Sequence, residues 1–201
     1  MRAPEISYVV SAYDRPRSLK TLRDALADQS RADFEVLVTD NAVNPAIAAA
    51  QKRIIAEIKD SRFQYFYTGN KIPVSDPYYS AEWGAARARG QWLCFPCDDC
   101  YYVPTFAEKM LNMAGMYGWD LVACDLIYRF NSGQHGLVHA QPDRALCAKT
   151  NILVRRERFA GFRNKPQGKP APSSGDATAV LDLCNGGIRW GVLQQVLVVH
   201  N

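Results

Sequence analysis

The sequence has no run of the roughly 18 consecutive apolar residues that a membrane-spanning helix needs. Its start, Met1-Arg2-Ala3-Pro4-Glu5, lacks the apolar core of a signal peptide. Six cysteines without an export signal then predict reduced thiols in a cytosolic protein, with peripheral contact at the inner face of a membrane left open. No GxGxxG follows the first strand-like run and no GxxxxGK[ST] occurs anywhere, which argues against a dinucleotide oxidoreductase and a P-loop enzyme. Heptads and collagen-like periods are missing. A net charge of +4 over 201 residues, without a basic stripe, falls short of a nucleic-acid footprint. What remains is globular composition, 48% apolar and 22% charged, in a chain long enough to bury a core without disulfides.

The first half alternates short apolar runs with helical patterns. Strands are predicted over Ile6–Ser11, Phe34–Thr39, Arg62–Tyr67 and Trp92–Phe95, and helices over Arg17–Gln29, Pro45–Lys59 and Asp76–Arg89. This alternation predicts right-handed βαβ units and a mostly parallel sheet in an α/β fold. Beyond Pro104 a helix is expected over Thr105–Tyr117 and strands over Asp120–Phe130, Ala148–Arg155 and Trp190–Val199. A helix over Asp176–Cys184 follows a Pro/Gly-rich loop, Asn164–Gly175. The expectation is a single domain, 1–201, with a ligand-binding half to residue 103 and a second half from 104 to 201.

Ligands of open parallel sheets collect at the carboxyl ends of the strands. There the sequence places Ser11-Ala12-Tyr13-Asp14-Arg15, then Asp40, then Asp98-Asp99. Adjacent carboxylates repel unless a cation sits beside them. Their hard oxygens suit Mg²⁺ or Mn²⁺, ions able to neutralise a diphosphate leaving group. A lone Asp-Asp pair also reads as an ordinary acidic turn.

The surrounding residues favour the site. YVVSAYDRPRSLKTLRDALADQSRADFEVLVTDN, residues 8–41, resembles the opening of the family 2 glycosyltransferases, and AARARGQWLCFPCDDCYYVP, Ala85–Pro104, resembles their acidic metal-binding segment. The resemblance implies a GT-A fold and transfer of a sugar from a nucleotide diphosphate donor, a UDP-sugar, with inversion. It places Ser11, Tyr13 and Arg15 against the nucleotide, Asp40 against the base, Asp98 beside the ribose or sugar, and Asp99 with Asp98 on the metal. Ser173-Ser174-Gly175-Asp176 resembles the family's base motif, which makes Asp176 the catalytic base, and His200 stands where some relatives draw a late-strand metal ligand. The acceptor is expected to be a hydroxyl-bearing glycan, lipid-linked molecule or small molecule. The chain departs from the family pattern at Asn41-Ala42 and at Cys97 and Cys100.

Other features read more simply. Cys94, Cys97 and Cys100 are spaced like an iron–sulfur run but lack a fourth ligand in register, so core packing is expected, with Cys97 and Cys100 near the site. His135 and His139 flank a Gly-containing turn and read as hairpin residues, the four tryptophans as core, Tyr101-Tyr102 as candidates to face the acceptor, and Arg155, Arg156 and Arg158 as a solvated face or an anion contact. Two alternatives stay open: a non-catalytic nucleotide-sugar-binding domain, and a sugar-nucleotide pyrophosphorylase. The absence of glycine from Ser11–Pro16 counts against the second.

Overall fold

The computed structural model describes residues 3–69, 77–130, 132–159, 161 and 175–201, with the backbone alone for 77–78 and 175–178. Strand β1 (Ile6–Ala12) pairs in parallel with β2 (Phe34–Asp40) on one side and β4 (Trp92–Cys94) on the other. β2 in turn pairs in parallel with β3 (Phe63–Tyr67). The later strands are β5 (Cys100–Tyr102), β6 (Leu121–Arg129), β7 (His135–Val138), β8 (Ile152–Arg155) and β9 (Trp190–His200). Among the described residues these nine strands form one sheet in the order β3-β2-β1-β4-β8-β6-β9-β5, with β7 on β6. The parallel half runs into a mixed half: β8 is antiparallel to both β4 and β6, β9 is parallel to β6, and β5 is antiparallel to β9.

Local chemistry explains the helices. Pro16 opens α1 (Pro16–Ala27), where its fixed φ is already helical and its missing N–H costs nothing. The Leu19, Leu22 and Leu26 face of that helix is buried. Asn44 caps α2 (Pro45–Glu57) by accepting a 2.9 Å bond from the Ala46 N–H. Gly118, at φ +64°, closes α4 (Phe106–Tyr117) in the left-handed conformation that only glycine adopts without cost.

Helices cover both faces of the sheet, and alternate residues of β1 therefore enter different cores. Tyr8 and Val10 pack with Leu22, Phe34, Tyr102 and Phe106, on the side of α1 and α4. Val9 packs with Leu37, Leu93 and Phe95, and with Ala81 of α3 (Pro77–Ala85) and Val180 of α5 (Gly175–Asn185). This double burial explains why apolar residues fill successive positions, Tyr8–Val10 in β1 and Val36–Val38 in β2.

Several elements differ from expectation. α3 ends at Ala85 because the chain closes into turns there, Arg87 N–H reaching Gly84 O and Ala88 N–H reaching Ala85 O. Within Ala148–Arg155 only the last four residues are strand, Lys149–Asn151 forming a 3₁₀ turn. β5 and β7 were not anticipated as strands. The expected loop at 164–174 and the start of the predicted third helix, Asp76, lie outside the described residues.

Candidate active site

The carboxyl ends of β1 and β4 meet in a cleft of about 580 Å³. Ser11, Ala12, Tyr13 and Arg15 line one side, Cys97, Asp98 and Asp99 the floor, and Tyr128–Phe130 with His200 and Asn201 the opposite wall. An isolated parallel bridge, Ser11 to Cys97, carries the β1–β4 register past the last full pair, and the Asp98 N–H donates to Ser11 O at 3.1 Å. The two exits are thereby locked together, which fixes where the acidic pair points.

The two carboxylates have different surroundings. Asp98 is buried and receives the Tyr13 N–H at 3.0 Å and the Arg15 guanidinium at 3.3 Å. Burial pushes its carboxyl up to about 6, against the pull of the Tyr13 amide and Arg15. Asp99 shares Arg15 through Oδ2, while its buried Oδ1 faces His200 Nε2 at 3.4 Å. Arg15, about half exposed, is the cation that lets two neighbouring aspartates coexist.

A divalent cation is implied by the sequence resemblance, and the donor set fits one. A carboxylate oxygen of Asp99, a ring nitrogen of His200 and Cys97 Sγ all lie within 4.8 Å of one another. His200 is presented there by β9, opposite Cys100 of β5 and Tyr128 of β6, and its ring meets Tyr128 edge-on at 5.0 Å. Asp98 stands outside this group, its oxygens turned to Tyr13 and Arg15.

Of the residues singled out in the sequence, Ser11, Tyr13, Arg15, Asp98 and Asp99 converge on the cleft. Asp40, expected against the base, lies apart from them. It is fully buried and does not line the cleft: its Oδ1 accepts the Ala42 N–H at 2.7 Å, and its Oδ2 accepts from Gln51 at 2.9 Å and from the Tyr65 hydroxyl. Its neighbour Asn41 faces the cleft instead. Asp176 falls in the first turn of α5, but its side chain is outside the described set.

Cys94 and Cys100 belong to the core, so only Cys97 of the three reaches the cleft. Tyr102 is also core, its hydroxyl donating to Thr150 O, which removes it from acceptor binding. Arg155 and Arg158 gather around the buried Asp120, with Arg155 over the Trp92 ring at the start of β4, the end away from the cleft. Sequence reading missed Asn41 and the Tyr128–Phe130 wall. The only signal for that wall was the polar end of a long strand candidate.

Residues 7–177 match the model of the family described as Glycosyl transferase family 2. The chain belongs to that family. It is 29% identical over 140 residues to the O-antigen biosynthesis protein RfbC of Myxococcus xanthus, covering 66% of this chain and 10% of RfbC. It is also 27% identical over 108 residues to an uncharacterized glycosyltransferase of Haemophilus influenzae, covering 54% and 34%. The match thus spans only 10% of the first of these relatives and 34% of the second. Among solved structures, S. aureus TarS superposes with a TM-score of 0.76 at 15% identity over 98% of this chain and 36% of that one. The mannosyltransferase PcManGT of Pyrobaculum calidifontis, in complex with GDP-Man and Mn²⁺, gives 0.72 at 14% identity over 100% and 57%. The fold of this family 2 chain is accordingly the GT-A type. No helix among the described residues is long and apolar enough to cross a membrane.

Proposed function

We propose that this family 2 chain is an inverting hexosyltransferase that moves a sugar from a nucleoside diphosphate, a UDP-sugar, to an acceptor hydroxyl. The observation that carries this reading is the convergence of Ser11, Tyr13, Arg15, Asp98 and Asp99 in one cleft at the carboxyl ends of β1 and β4. A TarS fragment has been crystallised with UDP-GlcNAc and PcManGT with GDP-Man, which supports the donor class.

In this reading Ser11, Tyr13 and Asn41 border the nucleoside. Asn41 takes the place beside the base, because Asp40 is committed to Gln51, Tyr65 and Ala42. Asp98 orders the Tyr13–Arg15 turn that frames the donor. Arg15, already exposed and cationic at the mouth, turns toward the diphosphate when its negative charge arrives. Asp99 and His200 would hold a divalent ion, which supplies charge neutralisation of the departing diphosphate. Asp176 takes the proton of the acceptor hydroxyl as its oxygen bonds to the anomeric carbon. The sugar–phosphate bond breaks on the opposite face and its electron pair leaves with the diphosphate, so the configuration inverts.

Calorimetric titration with UDP and GDP, each with and without Mn²⁺, tests the donor site on wild type and Asp99→Asn. Binding of UDP that requires the metal and is lost in the variant is the expected result. Binding of neither nucleotide under any condition sinks this reading.

A further inference from the structure

The acidic segment at the cleft floor carries a cysteine immediately before its two aspartates, and the fold aims that cysteine at the same point as Asp99 and His200. We propose that Cys97, Asp99 and His200 form a mixed thiolate–carboxylate–imidazole site that selects a zinc-class ion over Mg²⁺. The inference rests on the donor-site reading for the location of the cleft, while the choice of ion follows from the ligands themselves.

Three observations converge on it. The first is proximity across long sequence separations: one donor atom from each residue lies within 4.8 Å of the other two. Ligand atoms around a tetrahedral zinc stand about 3.3–3.8 Å apart, as bond lengths of about 2.0–2.3 Å require. The set therefore closes on an ion through side-chain adjustment of about 1 Å, without rebuilding the backbone.

Pre-organisation is the second. The Ser11–Cys97 bridge fixes the backbone at Cys97, the pairing of Cys100 with His200 fixes the late strand, and Arg15 occupies Asp99 Oδ2 so that Oδ1 is the oxygen turned inward. Oδ1 is buried and accepts no hydrogen bond among the described residues, yet it lies 3.4 Å from His200 Nε2.

The third is the chemistry of the donors. Carboxylate and water oxygens suit Mg²⁺ and Mn²⁺, whereas imidazole and thiolate suit zinc and its late first-row neighbours. One sulfur, one nitrogen and one oxygen leave a fourth position open, the arrangement of zinc sites that bind a substrate oxygen. Here that position faces the cleft, where a diphosphate oxygen would enter. Coordination releases the thiol proton to solvent, so affinity rises with pH as for any thiolate site.

The test uses the full chain, kept reduced, titrated with Co²⁺ in the presence and absence of UDP and followed by absorption and calorimetry. Wild type is expected to develop a near-ultraviolet thiolate-to-cobalt charge-transfer band. Zn²⁺ should displace the Co²⁺ near stoichiometry and Mg²⁺ should fail to do so in large excess. Cys97→Ser should lose the band and weaken Zn²⁺ by at least about tenfold, the lower end of what even an outer-shell partner is worth, while Mn²⁺ affinity changes little. His200→Gln provides an independent variant that weakens Zn²⁺ and retains the band at high Co²⁺. Cobalt bound without the band, or a band unchanged in Cys97→Ser, overturns the cysteine ligand while metal-dependent UDP binding still stands. Mg²⁺ competing with Zn²⁺ on equal terms overturns the selectivity. If no cation binds, with or without UDP, both this inference and the metal part of the donor reading fall.

Discussion

At the end of β2 two adjacent side chains do different work. Asp40 holds Gln51, Tyr65 and the Ala42 N–H together beneath the cleft, and Asn41 lines it. Asp40→Ala leaves the Ala42 N–H without an acceptor, while Gln51 keeps Tyr13 O and the Tyr65 hydroxyl keeps Ala48 O. We expect a loss of about 1–3 kcal/mol in urea unfolding, the cost of an orphaned buried polar group. A single-residue choice of this kind is not legible from sequence. Successive side chains leave a strand on opposite faces, so an error of one position exchanges a structural group for a cleft-lining one. Ser11, Tyr13, Arg15, Asp98 and Asp99 were legible because their chemistry and their place at strand ends agree. Cys97 and His200 were visible as residues, but their meeting required knowing that β9 lies beside β5, across about a hundred residues of sequence. The proposed base makes a further prediction at this scale. Asp176→Asn should leave metal-dependent UDP binding within about twofold of wild type while lowering transfer by about 10²–10⁴-fold, the usual contribution of a positioned base. A variant that transfers at wild-type rate would remove Asp176 from the role.

At the scale of elements, the helices and the parallel strands were readable because each carries its own period. The leucines of α1 recur at helical spacing, and β1 and β2 carry successive apolar residues, Tyr8–Val10 and Val36–Val38, because both faces are covered. β5 escaped notice since three residues carry no period, and what makes Cys100–Tyr102 a strand is the backbone of Val198–His200. The turn into β4 shows a different constraint. A Cβ at Gly90 would stand 2.5 Å from the Ser7 backbone nitrogen, and the Gly90 N–H itself donates to Ser7 Oγ at 2.8 Å. Gly90→Ala should therefore push β4 off β1 and cost about 1–3 kcal/mol, as overpacking does. Because β4 leads into Asp98-Asp99, the same variant should also weaken nucleotide binding; a thermal scan paired with the UDP titration checks both.

For the molecule as a whole, a buried polar clamp ties the parallel half together at the end opposite the cleft. Glu35 of β2 accepts from Ser7 Oγ of β1 at 2.7 Å and from the Arg89 N–H and guanidinium on the approach to β4. Burial alone would raise the Glu35 carboxyl, but the Arg89 amide, Ser7 hydroxyl and Arg89 guanidinium outweigh it and hold it below the usual 4.5. A carboxyl lowered in the folded state contributes stability that is complete above its unfolded value and lost as pH falls through its folded one. Unfolding free energy should thus decline as the pH drops below about 4.5, and Glu35→Gln should flatten that decline in urea titrations run from pH 7 to pH 3.

The order of strands has one last consequence, for the ribosome. β9 is inserted between β6 and β5, although β5 is synthesised some ninety residues earlier. Until Trp190–His200 has emerged, β5 lacks its sheet partner, Asp99 has no His200 beside it, and the wall of the cleft begun by Tyr128–Phe130 is incomplete. The parallel half can assemble as it emerges, from neighbours already made, whereas the cleft is completed only when β9 slides in between β6 and β5. The metal-dependent part of nucleotide affinity should therefore appear in a single step, once β9 has been made, rather than by degrees.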